Sequence, residues 1–371
     1  MRLLIIADKL TGGAGNVAQQ LASCFSREKE NTVFLLIETN VQPKYDLSNV
    51  HIINRKIDAR KLKNPIKTIR RYYKKLSWLR KSINACKADI IISFLNTISP
   101  DVLISQLFTK TPIIVSERSN PYQEWIKYNW KNRIKWTLSY LRANMIVYQF
   151  HCFESFFKYT YKKGKTCVIP NMIYYPKDDI TKRAIINNDN LRFAAISTLY
   201  SVKRINMMID IFANVWSKHP TIVLNIYGDG PDREKLEQQV CKLGLQNSII
   251  FHGHVTDTTK VLCNNDVLLM TSEREGFPNV ILEAMNVGAP TVMFKCHDGL
   301  SEIITDGVNG FLIEPDNTNE FTEKLQSLVV NPNIIKELSK NALSSKAQYS
   351  REQVMHLWEN CIKFTIRSNS R

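Results

Sequence analysis

The chain has 371 residues, 44% of them apolar and 10% aromatic, which suits two domains of ordinary size, each with its own core. Its eight cysteines are scattered with no Cys-x-x-Cys pair, an arrangement that argues against a zinc site of that kind and against a disulfide scaffold, and for a reducing compartment. The net charge of +16 is uneven: residues 1–190 hold 32 Lys and Arg against 14 Asp and Glu, whereas residues 191–371 hold 18 against 20, so an anionic partner is expected for the first half alone.

The opening apolar run is too short for a signal peptide, and no stretch reaches the roughly 18 apolar residues of a spanning helix. The expected location is cytoplasmic. Residues 2–7 read as a first strand, and Leu10-Thr-Gly-Gly-Ala-Gly15 as the turn into a helix that runs to about residue 25. The dinucleotide fingerprint Gly-x-Gly-x-x-Gly is not met there. Short strands follow over 32–37 and 50–53. Residues 55–87 carry 13 basic side chains and one acid, Asp58. Leu62, Ile66, Ile69, Tyr73, Leu76 and Ile83 recur at helical spacing, which predicts an amphipathic helix with a basic outer face. Such a helix suits an anionic membrane surface, or else docks on its own sheet as a lysine-rich surface helix. A second aromatic and basic stretch, 122–142 with Trp125, Trp130 and Trp136, favours the lipid–water boundary.

Runs at 89–95 and 112–116 read as buried parallel strands, and the second leads into Ser116-Glu-Arg-Ser-Asn-Pro121. Strands at 145–148 and 167–170 close a first domain over 1–175, and the polar stretch 176–190 reads as a linker. Strand and helix then alternate again through a second domain, 191–350, with strands at 191–197, 222–227, 249–251 and 267–270. The fold class expected is α/β, with two doubly wound parallel sheets. Phe251-His252-Gly253-His254 offers two histidines on one strand face but no third ligand, so they read as strand-end residues.

The stretch 270–290 is the most informative. A strand delivers a polar loop, 271–277. Pro278 suits a first helical turn, Val280, Ile281, Ala284 and Met285 keep helical spacing, and Gly288 is a natural stop. The amino end of that helix is suited to an anion. Glu275 lies in the loop and Glu283 inside the helix.

This block resembles the signature of the retaining family 4 glycosyltransferases of GT-B fold. Glu275-Gly276-Phe277 and Glu283-Ala284 match it, with Gly288 and Pro290 in register. The resemblance implies that Glu275 contacts donor-sugar hydroxyls, that Glu283 binds the ribose of the nucleotide, and that the Gly276 and Phe277 amides approach sugar and diphosphate beside Pro278 and Asn279. Lys203, in Ser197-Thr-Leu-Tyr-Ser-Val-Lys-Arg204, resembles the family's diphosphate-binding lysine. The arginine usually paired with it is absent, since Thr198 and Tyr200 occupy the places where it falls, and Arg204 is the available substitute. Gly12 and Gly13 resemble the family's glycine pair at the donor phosphates, and Gly228 and Gly230 its glycine loop beneath the nucleotide. Where many relatives carry a sugar-contacting histidine, this chain offers Glu117, flanked by Ser116 and Arg118. That variant resembles a subset of the family that builds bacterial surface polysaccharides and glycans. The resemblance also has the final helix, about 351–366, cross back to the first domain.

The expected enzyme therefore moves a hexose or N-acetylhexosamine, with retention, from a nucleotide-diphosphate sugar to a hydroxyl of a lipid-linked saccharide. A UDP-sugar donor is favoured. Glu275, Lys203 and Glu117 are the candidate catalytic residues. No Asp-x-Asp occurs, so neither a metal nor another cofactor is expected. The location expected is peripheral, on the inner face of the cell membrane. The alternatives are a GT-B enzyme that is not a transferase, of nucleotide-sugar epimerase type, and a non-catalytic nucleotide-sugar binder. No nucleic-acid recognition motif accompanies the charge.

Overall fold

In the first half of the chain the short apolar runs become parallel strands, with helices following most of them. The computed structural model describes residues 1–38, 43–55, 65–160, 166–173 and 190–369. It divides into two units, Met1–Asn171 with Glu352–Arg371, and Met172–Arg351. The linker expected at 176–190 lies outside the described residues except for Asn190.

The first unit holds β1 (Arg2–Ala7), α1 (Gly12–Phe25), β2 (Thr32–Ile37), β3 (Val50–Asn54), α2 (Pro65–Cys86), β4 (Ile90–Phe94), α3 (Ser99–Ser105), β5 (Ile113–Ser116), α4 (Pro121–Lys127), α5 (Trp130–Tyr140), β6 (Met145–Tyr148), α6 (Glu154–Thr160) and β7 (Thr166–Val168). Its seven strands are parallel in the order β3-β2-β1-β4-β5-β6-β7. Ile5 stands opposite Leu35 on one side and Ile92 on the other, and all three are fully buried. Coverage on both faces is why these strands read as unbroken apolar runs instead of alternating ones.

The second unit runs β8 (Arg192–Ile196), α7 (Ile205–Trp216), β9 (Val223–Tyr227), α8 (Arg233–Lys242), β10 (Ile249–Gly253), α9 (Thr258–Cys263), β11 (Val267–Met270), α10 (Asn279–Val287), β12 (Thr291–Phe294), β13 (Gly310–Ile313), α11 (Thr318–Val330) and α12 (Asn333–Ser345). The sheet order is β10-β9-β8-β11-β12-β13, again all parallel. Phe193, Phe212, Leu224, Leu269, Val292 and Phe321 anchor its core. The turn at 306–310 leads into β13, which pairs parallel with β12 as an edge strand.

The last helix, α13 (Arg351–Asn369), belongs to the first unit from Glu352 onward. Its Trp358 is fully buried against Phe94, with ring centroids 6.3 Å apart.

Helix α2 differs from its sequence reading. Of the predicted inward stripe, Ile69 is 58% and Tyr73 67% exposed and Ile83 is buried, with Leu79 and Cys86, outside that stripe, buried beside it; Leu62 lies outside the described residues. The cause is electrostatic. Asp101 on α3 and Glu38 after β2 are nearly buried, and Lys75 reaches both at 3.0 Å while the Tyr72 hydroxyl donates to Asp101 at 3.0 Å. Two buried carboxylates need partners, and satisfying them turns α2 so that Tyr72 and Lys75 face inward. Burial acts to raise the Asp101 carboxyl, but Lys135 and Lys75 together hold it below the usual carboxylate range.

Candidate active site

In a doubly wound sheet, ligands bind outside the carboxyl ends of the strands where the strand order reverses. In the second unit that point lies between β8 and β11. The loop after β8 carries Lys203 and Arg204; the loop after β11 carries Glu275. The chain therefore delivers, from sequence positions 72 residues apart, a cation and a carboxylate to one crevice: Lys203 Nζ donates to Glu275 Oε1 at 2.6 Å. Both side chains are largely covered, at 20% and 10% exposure.

The two loops are fastened together below this pair. The Glu273 amide donates to the Val202 carbonyl at 2.9 Å, and the Thr271 hydroxyl donates to the Lys203 and Arg204 carbonyls at 3.0 and 2.9 Å. Arg204 adopts a left-handed backbone conformation, φ 49°, at the start of α7. Its guanidinium turns to Asp316, with Glu273 at 3.8 Å. The arrangement thus brings Lys203 to Glu275 and commits Arg204 to carboxylates of its own.

The glycine loop after β9 is fixed by backbone packing. The Ser197 amide donates to the Tyr227 carbonyl at 3.0 Å and the Leu199 amide to the Asp229 carbonyl at 2.9 Å. Gly228 has φ 137°, and a Cβ there would overlap the Ser197 carbonyl oxygen; one on Gly230 would lie 2.5 Å from the Leu199 carbonyl oxygen. The glycines are required because the 197–199 segment lies directly on them. Their loop therefore sets the height of the segment that carries Lys203.

Helix α10 begins at Asn279 with Pro278 as its cap, one residue later than the sequence suggests, and Gly288 closes it. Its amino end, carrying the aligned peptide dipoles, follows directly on Gly276 and Phe277. Phe277 is buried and meets Tyr349 edge-on at 6.2 Å. Glu283 lies half-buried in the second turn. Sequence reasoning missed His297, in the loop after β12. Its Nε2 lies 3.1 Å from the Gly276 carbonyl, and burial lowers its pKa, so the neutral ring can donate to that carbonyl and brace the Glu275 loop. Its neighbour Cys296 has a thiol that burial pushes up to about 12, which makes it an inert packing residue. His252 stacks on Tyr227 at 4.4 Å and bonds Asn225 at 2.7 Å, a structural role.

In the first unit the equivalent reversal lies between β1 and β4. Gly12 and Gly13 are exposed at the start of α1. Nearby, the Thr97 hydroxyl donates to Asp8 Oδ2 at 3.0 Å. Glu117 is elsewhere: it is 3% exposed, beneath the loop after β5, and accepts from the Tyr140 hydroxyl. Burial pushes its carboxyl up to about 7. Arg118 is buried as well, donating to Ser116 Oγ, the Ile169 carbonyl and Asn171 Oδ1, with its guanidinium over the Phe94 and Trp358 rings at 5.6 and 5.5 Å. Neither side chain is open to a ligand in this arrangement.

Residues 176–345 match the model of the family described as Glycosyl transferases group 1. An uncharacterized glycosyltransferase of Haemophilus influenzae is 25% identical over 187 residues, 50% of this chain and 53% of that protein, so the chain spans about half the length of that relative. The GalNAc-alpha-(1->4)-GalNAc-alpha-(1->3)-diNAcBac-PP-undecaprenol alpha-1,4-N-acetyl-D-galactosaminyltransferase of Campylobacter jejuni is 25% identical, aligning 97% of this chain with 96% of its own. The solved structure of Anabaena HepE in complex with UDP and glucose superposes with a TM-score of 0.77 at 20% identity, covering 99% of this chain and 100% of that one. The fold is GT-B, and residues 176–345 are similar to the glycosyl transferases group 1 family.

Proposed function

We propose that this protein transfers a hexose or N-acetylhexosamine from a UDP-sugar to a hydroxyl of a lipid-linked saccharide, keeping the anomeric configuration of the donor. The observation that carries the reading is the Lys203–Glu275 pair at the β8–β11 reversal. A nucleotide-diphosphate sugar presents two groups such a pair can take separately. The diphosphate draws the Lys203 ammonium, which stabilises the negative charge that grows on the departing phosphate. Glu275, released from the lysine, accepts hydrogen bonds from sugar hydroxyls. The amino end of α10 adds oriented amides toward the same anion, and Glu283, within that helix, is assigned to the ribose diol.

Lys203 and the helix end supply positive charge that a metal would otherwise bring, so no metal or cofactor is required. The UDP donor and the lipid-linked acceptor are supported by the relatives. One is named for a saccharide on PP-undecaprenol, and another was solved with UDP and glucose. Gly12 and Gly13, exposed in the first unit, are assigned to the approach of donor phosphates.

The test is transfer from UDP-sugars to a polyprenyl-diphosphate saccharide, with product read by mass spectrometry and its anomer by NMR. Lys203→Ala and Glu275→Gln should each lower turnover by about 10²-fold or more while circular dichroism stays native, and excess EDTA should leave wild-type turnover unchanged. Wild-type turnover persisting in both variants would overturn the assignment.

A further inference from the structure

Two cysteines that are far apart in the chain meet inside the first unit. Cys167 is the middle residue of β7, the edge strand beside β6, and stands opposite Val147. Cys361 lies midway along α13, one turn after Trp358. That helix is fixed to the first unit at both ends. Trp358 packs on Phe94 near its start; near its end Asn369 Nδ2 donates to the Lys110 carbonyl and Asn369 Oδ1 accepts from Asn144 Nδ2. Val354, Trp358, Cys361 and Thr365 share the buried stripe, a helical spacing that turns Cys361 toward the sheet. There the Cys361 thiol donates to the Cys167 sulfur, whose own hydrogen is directed to the Val168 carbonyl at 3.9 Å.

The two sulfurs differ in access and in acidity. Cys167 is half-buried, whereas Cys361 is 5% exposed, and both are free thiols. The hydrogen bond from Cys361 lowers the pKa of the Cys167 thiol; the same bond, together with burial, holds the Cys361 thiol well above its ordinary value. A sulfur that ionises more readily and can be reached, backed by a covered one, separates the attacking thiol from the resolving thiol. Other cysteines are spent on different partners. Cys86 donates to the Ser82 carbonyl at 3.2 Å, and the exposed Cys241 accepts from Gln246 Nε2 at 3.3 Å.

We infer that Cys167 and Cys361 form an oxidation-dependent disulfide that staples α13 to β7. The oxidant is a small aliphatic disulfide of the glutathione class. The Cys167 thiolate attacks one of its sulfurs, the S–S bond breaks, and one glutathione thiol leaves with the proton that Cys167 gave up. The Cys361 sulfur then attacks Cys167, and the second glutathione thiol leaves with the Cys361 proton. Two protein thiols are oxidised, and one disulfide is reduced to two thiols. The ring so closed contains the whole second unit, because the chain leaves the first unit after Asn171 and returns to it at Glu352. Held by packing and hydrogen bonds alone, α13 can open from the sheet as a single helix. The staple couples that opening to β7, and closing so long a ring removes freedom mainly from the opened state. In a reducing compartment the pair rests as thiols, and the staple is set only when oxidant rises.

Both sulfurs lie in the first unit and stand apart from donor chemistry, so the test needs no substrate. The full chain is incubated with excess oxidised glutathione or with dithiothreitol, digested without reduction, and mapped by mass spectrometry. Oxidised protein should yield the Cys167 peptide joined to the Cys361 peptide, and dithiothreitol should part them. Trypsin cleavage of the folded chain after Lys363, an exposed residue of α13, should slow at least about tenfold in the oxidised form. Cys167→Ser should lose both the linked peptide and the slowing while keeping the circular dichroism of the reduced wild type. Cys361→Ser, whose hydroxyl can still donate, should instead hold a glutathione adduct on Cys167, the mark of the attacking sulfur. Glutathione added only at the exposed Cys241, a link between other cysteines, or equal cleavage of oxidised and reduced wild type would overturn the proposal.

Discussion

The β1–β4 crevice of the first unit and the β8–β11 crevice of the second occupy the same place in the same strand order, yet their side chains differ in kind. The second sets an ammonium and a carboxylate face to face from two loops, 2.6 Å apart and both still reachable from solvent. The first has a hydroxyl on a carboxylate at its mouth, Thr97 on Asp8, and keeps Glu117 and Arg118 in the interior. Ten of its other cations lie on α2 and α5, and Lys9 in the loop after β1 is exposed. Shared topology therefore supplies a place for chemistry, and the charge carried by two short loops decides which unit uses it.

Three substitutions probe that contrast, in order of expected effect. Gly228→Ala attacks the backbone packing on which the second crevice rests. A Cβ meeting the Ser197 carbonyl has no flexible side chain to displace, so a loss of about 3 kcal/mol is expected, read as a lower urea midpoint, with UDP binding lost alongside. A native midpoint would show that the glycine loop does not hold the Lys203 segment.

Glu117→Gln tests the buried charge of the first unit. Burial raises the folded carboxyl to about 7 from an ordinary value of 4.5, so between those values the unfolded chain holds fewer protons. The stability associated with the protonated form is complete below about pH 4.5 and lost as pH rises through about 7. The variant should match wild type near pH 4.5 and exceed it at pH 8 by on the order of 2 kcal/mol in urea unfolding. Parallel pH profiles for the two proteins would place the carboxyl in contact with solvent.

Asp316→Ala has the smallest effect. It removes the closer acidic partner of Arg204, an exposed pair worth under about 1 kcal/mol, so stability should barely move. The freed guanidinium would then offer the second cation beside Lys203, and calorimetry should show UDP binding tightened by about two- to fivefold. Unchanged affinity would mean that Arg204 cannot turn to the crevice.

Much of the strand and helix alternation was legible from sequence because strands buried on both faces leave unbroken apolar runs. The loop and helix at 271–288 were legible from Pro278 and Gly288, and Lys203 was picked out by its resemblance to a family segment. Other features depend on contacts between distant positions. The outward turn of Ile69 and Tyr73 follows from Asp101 and Glu38 demanding Lys75, which helical periodicity does not record. Arg204 reads as a free cation beside Lys203 until Asp316 arrives from the far side of β13. Glu117 stands in a loop motif that suggests exposure, and Tyr140 shows that it lies inside. His297 acts through a carbonyl 21 residues away and carries no local signature.

Trp358 has a consequence for the order of assembly during synthesis. The wall that closes over Arg118 and Phe94 comes from α13, whereas the rest of the first unit is complete by Asn171. Domains generally fold as they emerge, earliest first. Here the earliest one must wait with an uncovered guanidinium and an open apolar face until residues 352–369 have left the ribosome, while the second unit already holds its whole sheet. Of the two units, the one begun first is the one finished last.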